Sequence, residues 1–467
     1  REELVNNNQT IREDEQSLAL TVKGLQPNDS RAVYKNFQID MRQYENLEMF
    51  LHAESLPAPA ANIQDGDLTA FIRMGTDFTD NFYQVEIPLT VSDLNSVNPR
   101  DVWPEANDLD LPLSLLQEIK SIIIGDSNYN QGELNFFTSD LQPSVGSNPG
   151  ELRVGIKGNP SFGNIRLLML GVKNTGNTNA SGEVWFNELR LSDLKNQGGW
   201  AAVVNMDTNF ADFANISATG RRSTIGFGSI EQGPNQRSRE DLKQYDVATN
   251  FNMGQLLPKT WGVNVPLSYS RGEELITPQY DPEYLDLELE TLLDNTEDQS
   301  RRDELQERAE DYTRRQSVSV IGLRKERVAQ QNQEERKPMP YDVENFAFSG
   351  TYNQVDHRDF EIEESLDQNV NVGATYDYGF EPFKIEPFKN IKYLDSSEYF
   401  RAIKDFNLNL LPTSLSASSN ITRQYNEQVY REINLPPGSL GLPKLYQRNY
   451  MFDWQYTVNH NLTESLR

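Results

Sequence analysis

No cysteine occurs in the 467 residues, so no disulfide holds any part of the chain together. Histidine is nearly absent as well. The three present, His52, His357 and His460, lie far apart and show no metal-ligand spacing. No apolar run reaches the ~20 residues a membrane-spanning helix needs, and the mean hydropathy is -0.67. This excludes helical spans but not strands that cross a bilayer, because their faces alternate and average to mild polarity. Nucleotide and catalytic signatures are missing too: there is no GxGxxG, phosphate loop, HExxH or GxSxG. A formal charge of -27 repels nucleic acid and anionic surfaces. An initiator Met and a signal or transit peptide are also lacking, and the chain reads as a segment of a longer protein.

What is present is strand. Residues 1–197 carry short runs such as "LEMFLHAE", "LTAFIRMG", "FYQVEIPL", "NIRLLMLGV" and "EVWFNELRL", separated by Gly/Asn/Asp turns. Several are apolar on both faces, as inner strands of a sandwich are. One helix is expected at "LPLSLLQEIK", with Pro112 near its first turn. The expected fold is all-β, with a jelly-roll-like β-sandwich over 1–197.

At Gly198-Gly199 the texture changes. Residues 198–467 hold about ten longer strands with cleaner faces. In "NVNVGATYDYGF", Val370, Val372, Ala374, Tyr376, Tyr378 and Phe380 alternate with Asn, Gly, Thr and Asp. In "FDWQYTVNHNL", Phe452, Trp454, Tyr456 and Val458 do the same. "FNMGQLLPKTWGVNV" and "FNLNLLPTSLSAS" echo each other as two hairpins turning at Pro258 and Pro412. Long polar connections are expected at 271–315, 326–342 and 380–403, opposite short turns. That asymmetry belongs to an antiparallel outer-membrane β-barrel. The polar faces are mostly small and uncharged, and strands of about ten residues suit a bilayer crossing. Val370, Val372, Ala374 and Val458 are therefore candidate lipid-facing residues. Trp261, Tyr269, Tyr376, Tyr378, Phe380, Trp454 and Tyr456 are candidate interface aromatics. The competing reading is a second soluble β-domain with Tyr-rich strands.

Other motifs have plainer explanations. "GFGS" at Gly226 reads as a turn, and Glu363/Glu364 as solvated charges. The loops at Asp65–Asp67 and from Gly75 offer carboxylates to calcium but also suit ordinary turns. His52 reads as a satisfied structural histidine, and "RRDELQERAEDYTRR" as a charge-laced helix. No enzyme chemistry and no cofactor is expected.

"FIRMGTDFTDNFYQVEIPL", "GNIRLLMLGVKN", "GEVWFNELRL" and "LLPKTWGVNVPLSYSRGEELITPQYDP" together resemble the SprA/Sov family, in matching order over most of the chain. That family comprises giant outer-membrane β-barrels of Bacteroidetes, the translocon of the type IX secretion system that also serves gliding motility. The resemblance implies a protein-conducting channel of exceptional strand number that exports folded cargo without its own catalysis or nucleotide use, and it makes the sandwich over 1–197 an inserted cap or periplasmic domain. It implies as partners a smaller β-barrel shuttle protein of the PorV type at a lateral opening, a plug protein, secreted cargo with a C-terminal signal domain, and outer-membrane lipids. The alternative is a surface carbohydrate-binding or adhesin protein. In it Trp185, in the sandwich strand "GEVWFNELRL", is the possible sugar platform rather than a core anchor. A glycosidase-linked accessory domain is a third reading.

Overall fold

The computed structural model describes residues 3–6, 9–12, 16–57, 63–92, 98–125, 130, 132–137, 152–328, 337–391, 399, 401–433 and 440–463. It is all-β and antiparallel, as expected, and divides into two units.

The first unit begins with a hairpin, β1 (Glu3–Asn6) and β2 (Gln9–Arg12). The sandwich strands follow: β3 (Leu18–Leu25), β4 (Ser30–Ile39), β5 (Tyr44–Ser55), β6 (Leu68–Gly75), β7 (Phe82–Pro88), β8 (Leu109–Pro112), β9 (Asn135–Phe137), β10 (Arg153–Lys157), β11 (Ile165–Asn174) and β12 (Ala180–Leu194). One sheet runs β4-β11-β6-β7-β10-β9 and the other β3-β12-β5-β8. Between them lies one core, with Leu51, Ile72, Val85, Leu111, Val154 and Val184 fully buried. Each such side chain stabilises the fold by roughly 1.5–3 kcal/mol. β6 and β7 are buried along nearly every position, which explains their apolar runs on both faces. The helix spans Leu113–Gly125, directly after Pro112, and buries Leu116, Ile119 and Ile123.

The expected boundary at 197 changes in one respect. The unit runs to Trp200 and also contains residues 224–240 and 278–309. The stretch 271–315 is thus not one solvated loop: strand continues to Pro278 and resumes at Asp311. Within 278–309, two helices (Leu289–Asp294 and Gln299–Ala309) bury Leu287, Leu292 and Leu305 in a small cluster with Ile124. The charge-laced helix expected over 301–315 is present as far as Ala309 and gives way to strand from Asp311; its burial was not legible because it buries only Leu305 and Ala309 and leaves its charges outside.

The second unit is a ten-stranded sheet. Its strands are β13 (Ala201–Phe210), β14 (Ala214–Ser223), β15 (Glu240–Asn252), β16 (Val263–Asn264), β17 (Pro266–Pro278), β18 (Asp311–Lys325), β19 (Phe346–Arg358), β20 (Ile362–Gly379), β23 (Ser414–Tyr430) and β24 (Leu445–Asn459). Their order follows the chain, β13-β14-β15-β17-β18-β19-β20-β23-β24, with β16 on β18. Between β20 and β23, a two-stranded piece forms from β21 (Lys384–Ile385) and β22 (Leu408–Asn409). Among the described residues β13 and β24 are edges and the sheet is open.

Three expectations are corrected here. Most of the strands are longer than about ten residues, with 18 in β20 and 17 in β23, while β13 and β14 have the expected 10. "FNLNL" is not a long strand: among the described residues its strand is Leu408–Asn409, so Pro412 lies at the approach to β23 and the hairpin of that echo is found around Pro258. The loops do not segregate by side. The tight turns 211–213 and 359–361 fall at opposite ends of the sheet, and connections longer than either occur at both ends. At Gly322 (φ +78°) a bulge between Val320 and Leu323 shifts the register of β18, a conformation that favours glycine.

Candidate functional site

The ten-stranded sheet has two chemically distinct faces. Residues directly opposite in an antiparallel ladder share a face, so the register sorts every side chain. One face carries Val318, Tyr352, Val370, Arg423 and Tyr450 in one row, and Val320, Gly350, Val372, Ile421 and Phe452 in the next. Then come Phe348, Ala374, Ser419 and Trp454, followed by Phe346, Tyr376, Ala417 and Tyr456. The rows form an apolar band in which Arg423 and Ser419 are the polar members of the rows named. From Tyr352 to Phe346, and from Tyr450 to Val458, it is roughly 20–27 Å tall along the strands. Among the described residues nothing covers it: Val372 is 50 % exposed and Trp454 61 %.

The opposite face holds Asn369, Asn371, Gly373 and Thr375 on β20, Thr422, Asn420, Ser418 and Ser416 on β23, and matching polar residues elsewhere. Neighbouring strands hydrogen-bond across it. Ser317 Oγ donates to Asn353 Oδ1 at 2.6 Å, Asn459 to Ser414 at 2.9 Å, and Asn449 to Gln424 at 3.2 Å. Ser217, Asp246, Ser270, Ser317 and Asn353, from five strands, line one shallow hollow of about 400 Å³ on this face. Gly272 admits Asp246 there, since a Cβ would stand 2.1 Å from its Oδ1.

The structure brings together most of the residues singled out from sequence. Val370, Val372 and Ala374 lie within the band. Tyr376 packs on Phe346 at 5.0 Å and donates to Pro340 O at 2.8 Å, and Tyr378 donates to Pro338 O at 3.1 Å. Phe380 follows the strand and meets Tyr378 edge-on at 4.7 Å. Tyr456 shares the Tyr376 row, and Val458 lies one row further out, beside Leu415. Trp261 is exposed in the turn after β15. Tyr269 instead opposes Val318, at the other end of the band, and Trp454 sits mid-band opposite Ser419. Tyr352, Phe346, Phe348 and Tyr450 were missed as site residues. Their alternation was the available signal.

Trp185 is half-buried in the sandwich. Its ring lies on His52 at 4.5 Å, and its Nε1 donates to Glu183 Oε1 at 2.7 Å. That bond, with a second from Thr21, holds the Glu183 carboxyl below its usual range. His52 is fully buried between Trp185, Trp103 and Val102 O. In the loop after β6, Asp77 accepts N–H bonds from Thr79, Asp80 and Asn81. Burial opposes ionisation, but these donors pull the carboxyl well below the normal range. Asp67 caps Gln64 N and Asp65 caps Val91 N. Among the described residues no acidic or histidine cluster holds metal geometry. Gly226 (φ +82°) is a turn, and Glu363 and Glu364 are exposed.

The most tightly built polar cluster lies elsewhere in the first unit. Asp286, fully buried, meets Lys120 Nζ at 2.5 Å and accepts the Tyr83 hydroxyl, and Gln117 donates to its backbone O at 2.7 Å. Burial pulls the Lys120 ammonium down from its ordinary value, and Asp286 opposes that. Nearby, burial and then Glu288 push the Tyr280 phenol up to about 12. The cluster is structural: it ties residues 278–309 to the sandwich.

A family model described as motility related/secretion protein (SprA_N) matches residues 1–293. No curated protein matches the chain.

Proposed function

Because the chain belongs to the SprA_N family of motility related and secretion proteins, we propose that it is part of an outer-membrane channel that exports folded cargo in type IX secretion. The observation that carries this is the two-faced sheet. An uncovered apolar band with aromatics at its margins matches what a barrel wall presents to lipid, and a small, hydrogen-bonded polar face matches a wet lumen. An open sheet cannot stay open in hydrocarbon, because its edge N–H and C=O groups would lack partners. The edges β13 and β24 are therefore completed by further strands in the working channel. The lumen wall offers cargo few apolar footholds, so folded proteins pass without sticking.

The partners follow from the same reading: a PorV-type shuttle barrel at a lateral opening, a plug protein, cargo with a C-terminal signal domain, and outer-membrane lipid. The channel itself performs no catalysis and uses no nucleotide. Planar-bilayer conductance of the full-length protein tests the proposal. A large conductance that falls when plug protein is added is expected. Recovery of the protein in the soluble fraction, with no conductance, would remove it.

A further inference from the structure

The apolar band does not fill the outward face. On the side away from the 211–213 turn, the next register row reads Arg271, Gln316, Gln354, Gln368, Tyr425 and Arg448, one polar residue on each of six strands. Its members bond to one another. Gln316 Nε2 donates to Gln354 Oε1 at 3.1 Å, Gln368 Nε2 donates to Tyr352 Oη at 3.2 Å, and that hydroxyl donates to Gln354 at 2.5 Å. The row beyond carries ion pairs: Arg271–Glu273 at 2.5 Å, Arg314–Asp356 at 3.0 Å, and Lys444–Glu427. Strand continues past this point, to Ile362 on β20 and Tyr430 on β23.

We infer that the bilayer covers only part of each strand, that its headgroup boundary lies at the Gln316–Gln354–Gln368 row, and that the remainder of β17–β20, β23 and β24 stands in water as a collar continuous with the barrel wall. The inference rests on reading the apolar face as lipid-facing. Four features carry it. A row of three amides, two guanidiniums and a phenol across six strands is excluded from hydrocarbon, where a charge on the lipid face is costly near the midplane and cheap at the interface. Tyr269, Tyr352 and Tyr450 stand in the row just inside, where a ring stays in the apolar zone and its hydroxyl meets polar groups. Arg423 in that same row has a stem long enough to reach the boundary. The band that remains is about as tall as the ~25 Å lipid-facing zone of outer-membrane barrels.

Single thiols test this, since the 467 residues contain no native Cys. Val372→Cys and Phe452→Cys lie in the band, while Leu366→Cys and Tyr446→Cys lie on the same face and strands, beyond the amide row. The full-length protein, cleared of any other thiols, is reacted with a membrane-impermeant maleimide in open outer-membrane vesicles. The collar thiols are expected to label on the order of tenfold faster than the band thiols, as a group in water does against one in hydrocarbon. A fluorophore at Val372 or Phe452, but not at Leu366, is expected to be quenched by lipids carrying chain nitroxides. Protection and quenching at all four positions would overturn the boundary yet leave the membrane reading standing. Protection at Leu366 without quenching would mean a protein cover and would likewise overturn a water-exposed collar. Fast labelling at all four would overturn the membrane reading itself, and the collar with it.

Discussion

Replacing Lys120 with Met should destabilise the first unit by about 3–5 kcal/mol, the cost of leaving a buried charge without its partner. The Lys120 side chain is 4 % exposed and Asp286 is 0 %. Methionine keeps most of the apolar stem but removes the ammonium that meets Asp286 at 2.5 Å and Pro160 O at 2.7 Å. Among the described residues, Asp286 would keep the Tyr83 hydroxyl as the hydrogen-bond donor to its side chain. Its backbone bond from Gln117 does nothing for the carboxylate. The double variant Lys120→Met/Asp286→Leu should recover much of the loss, since well-packed apolar replacements of buried ion pairs are often neutral or better. Urea unfolding of the detergent-solubilised chain, followed through Trp103 and Trp185 fluorescence, gives both free energies and their coupling. A loss under about 1 kcal/mol for Lys120→Met would refute the argument. A double variant no more stable than the single would do the same.

Three further outcomes follow from the structure. A fragment ending at residue 197 lacks Asp286 and Leu285 O, so Lys120, Tyr83 and Arg42 lose partners; its unfolding midpoint should fall below that of the same unit in the whole chain, measured by urea titration. Val372→Arg on the apolar face should cost roughly 2–4 kcal/mol of membrane folding if near the midplane, whereas Ser418→Arg on the opposite face should be close to neutral; heat-modifiable gel mobility after membrane assembly reads both, and equal effects would contradict the two-faced sheet. The depressed Asp77 carboxyl contributes stability that is fully present above its ordinary value of 3.8 and is lost as pH falls through its lower folded value. Asp77→Asn should flatten that acid limb in a pH series of thermal melts, and an unchanged limb would show that the loop bonds do not set it.

Alternation along a strand records which residues share a face, because successive side chains point to opposite sides. For that reason the all-β class, the sandwich strands, the helix after Pro112 and the faces of β20 and β24 could all be read from the chain. So could the family, from motifs in matching order. Pairing between strands is not written in any one strand. Tyr269 and Tyr376 look equivalent in sequence, yet register sets them at opposite ends of the band. The amide row of Gln316, Gln354 and Gln368 joins residues from three separate strands and exists only once they pair. "FNLNL" alternates like a spanning strand, but among the described residues its strand ladder is two residues long, Leu408 and Asn409 against Lys384 and Ile385. Asp286 reads as one more charge in an acidic stretch; its burial depends on Lys120, 166 positions away along the chain. Local periodicity thus determined the elements and their faces. Long-range pairing and burial, whose free energy belongs to contacts rather than to segments, decided register, band height, and which charges leave water.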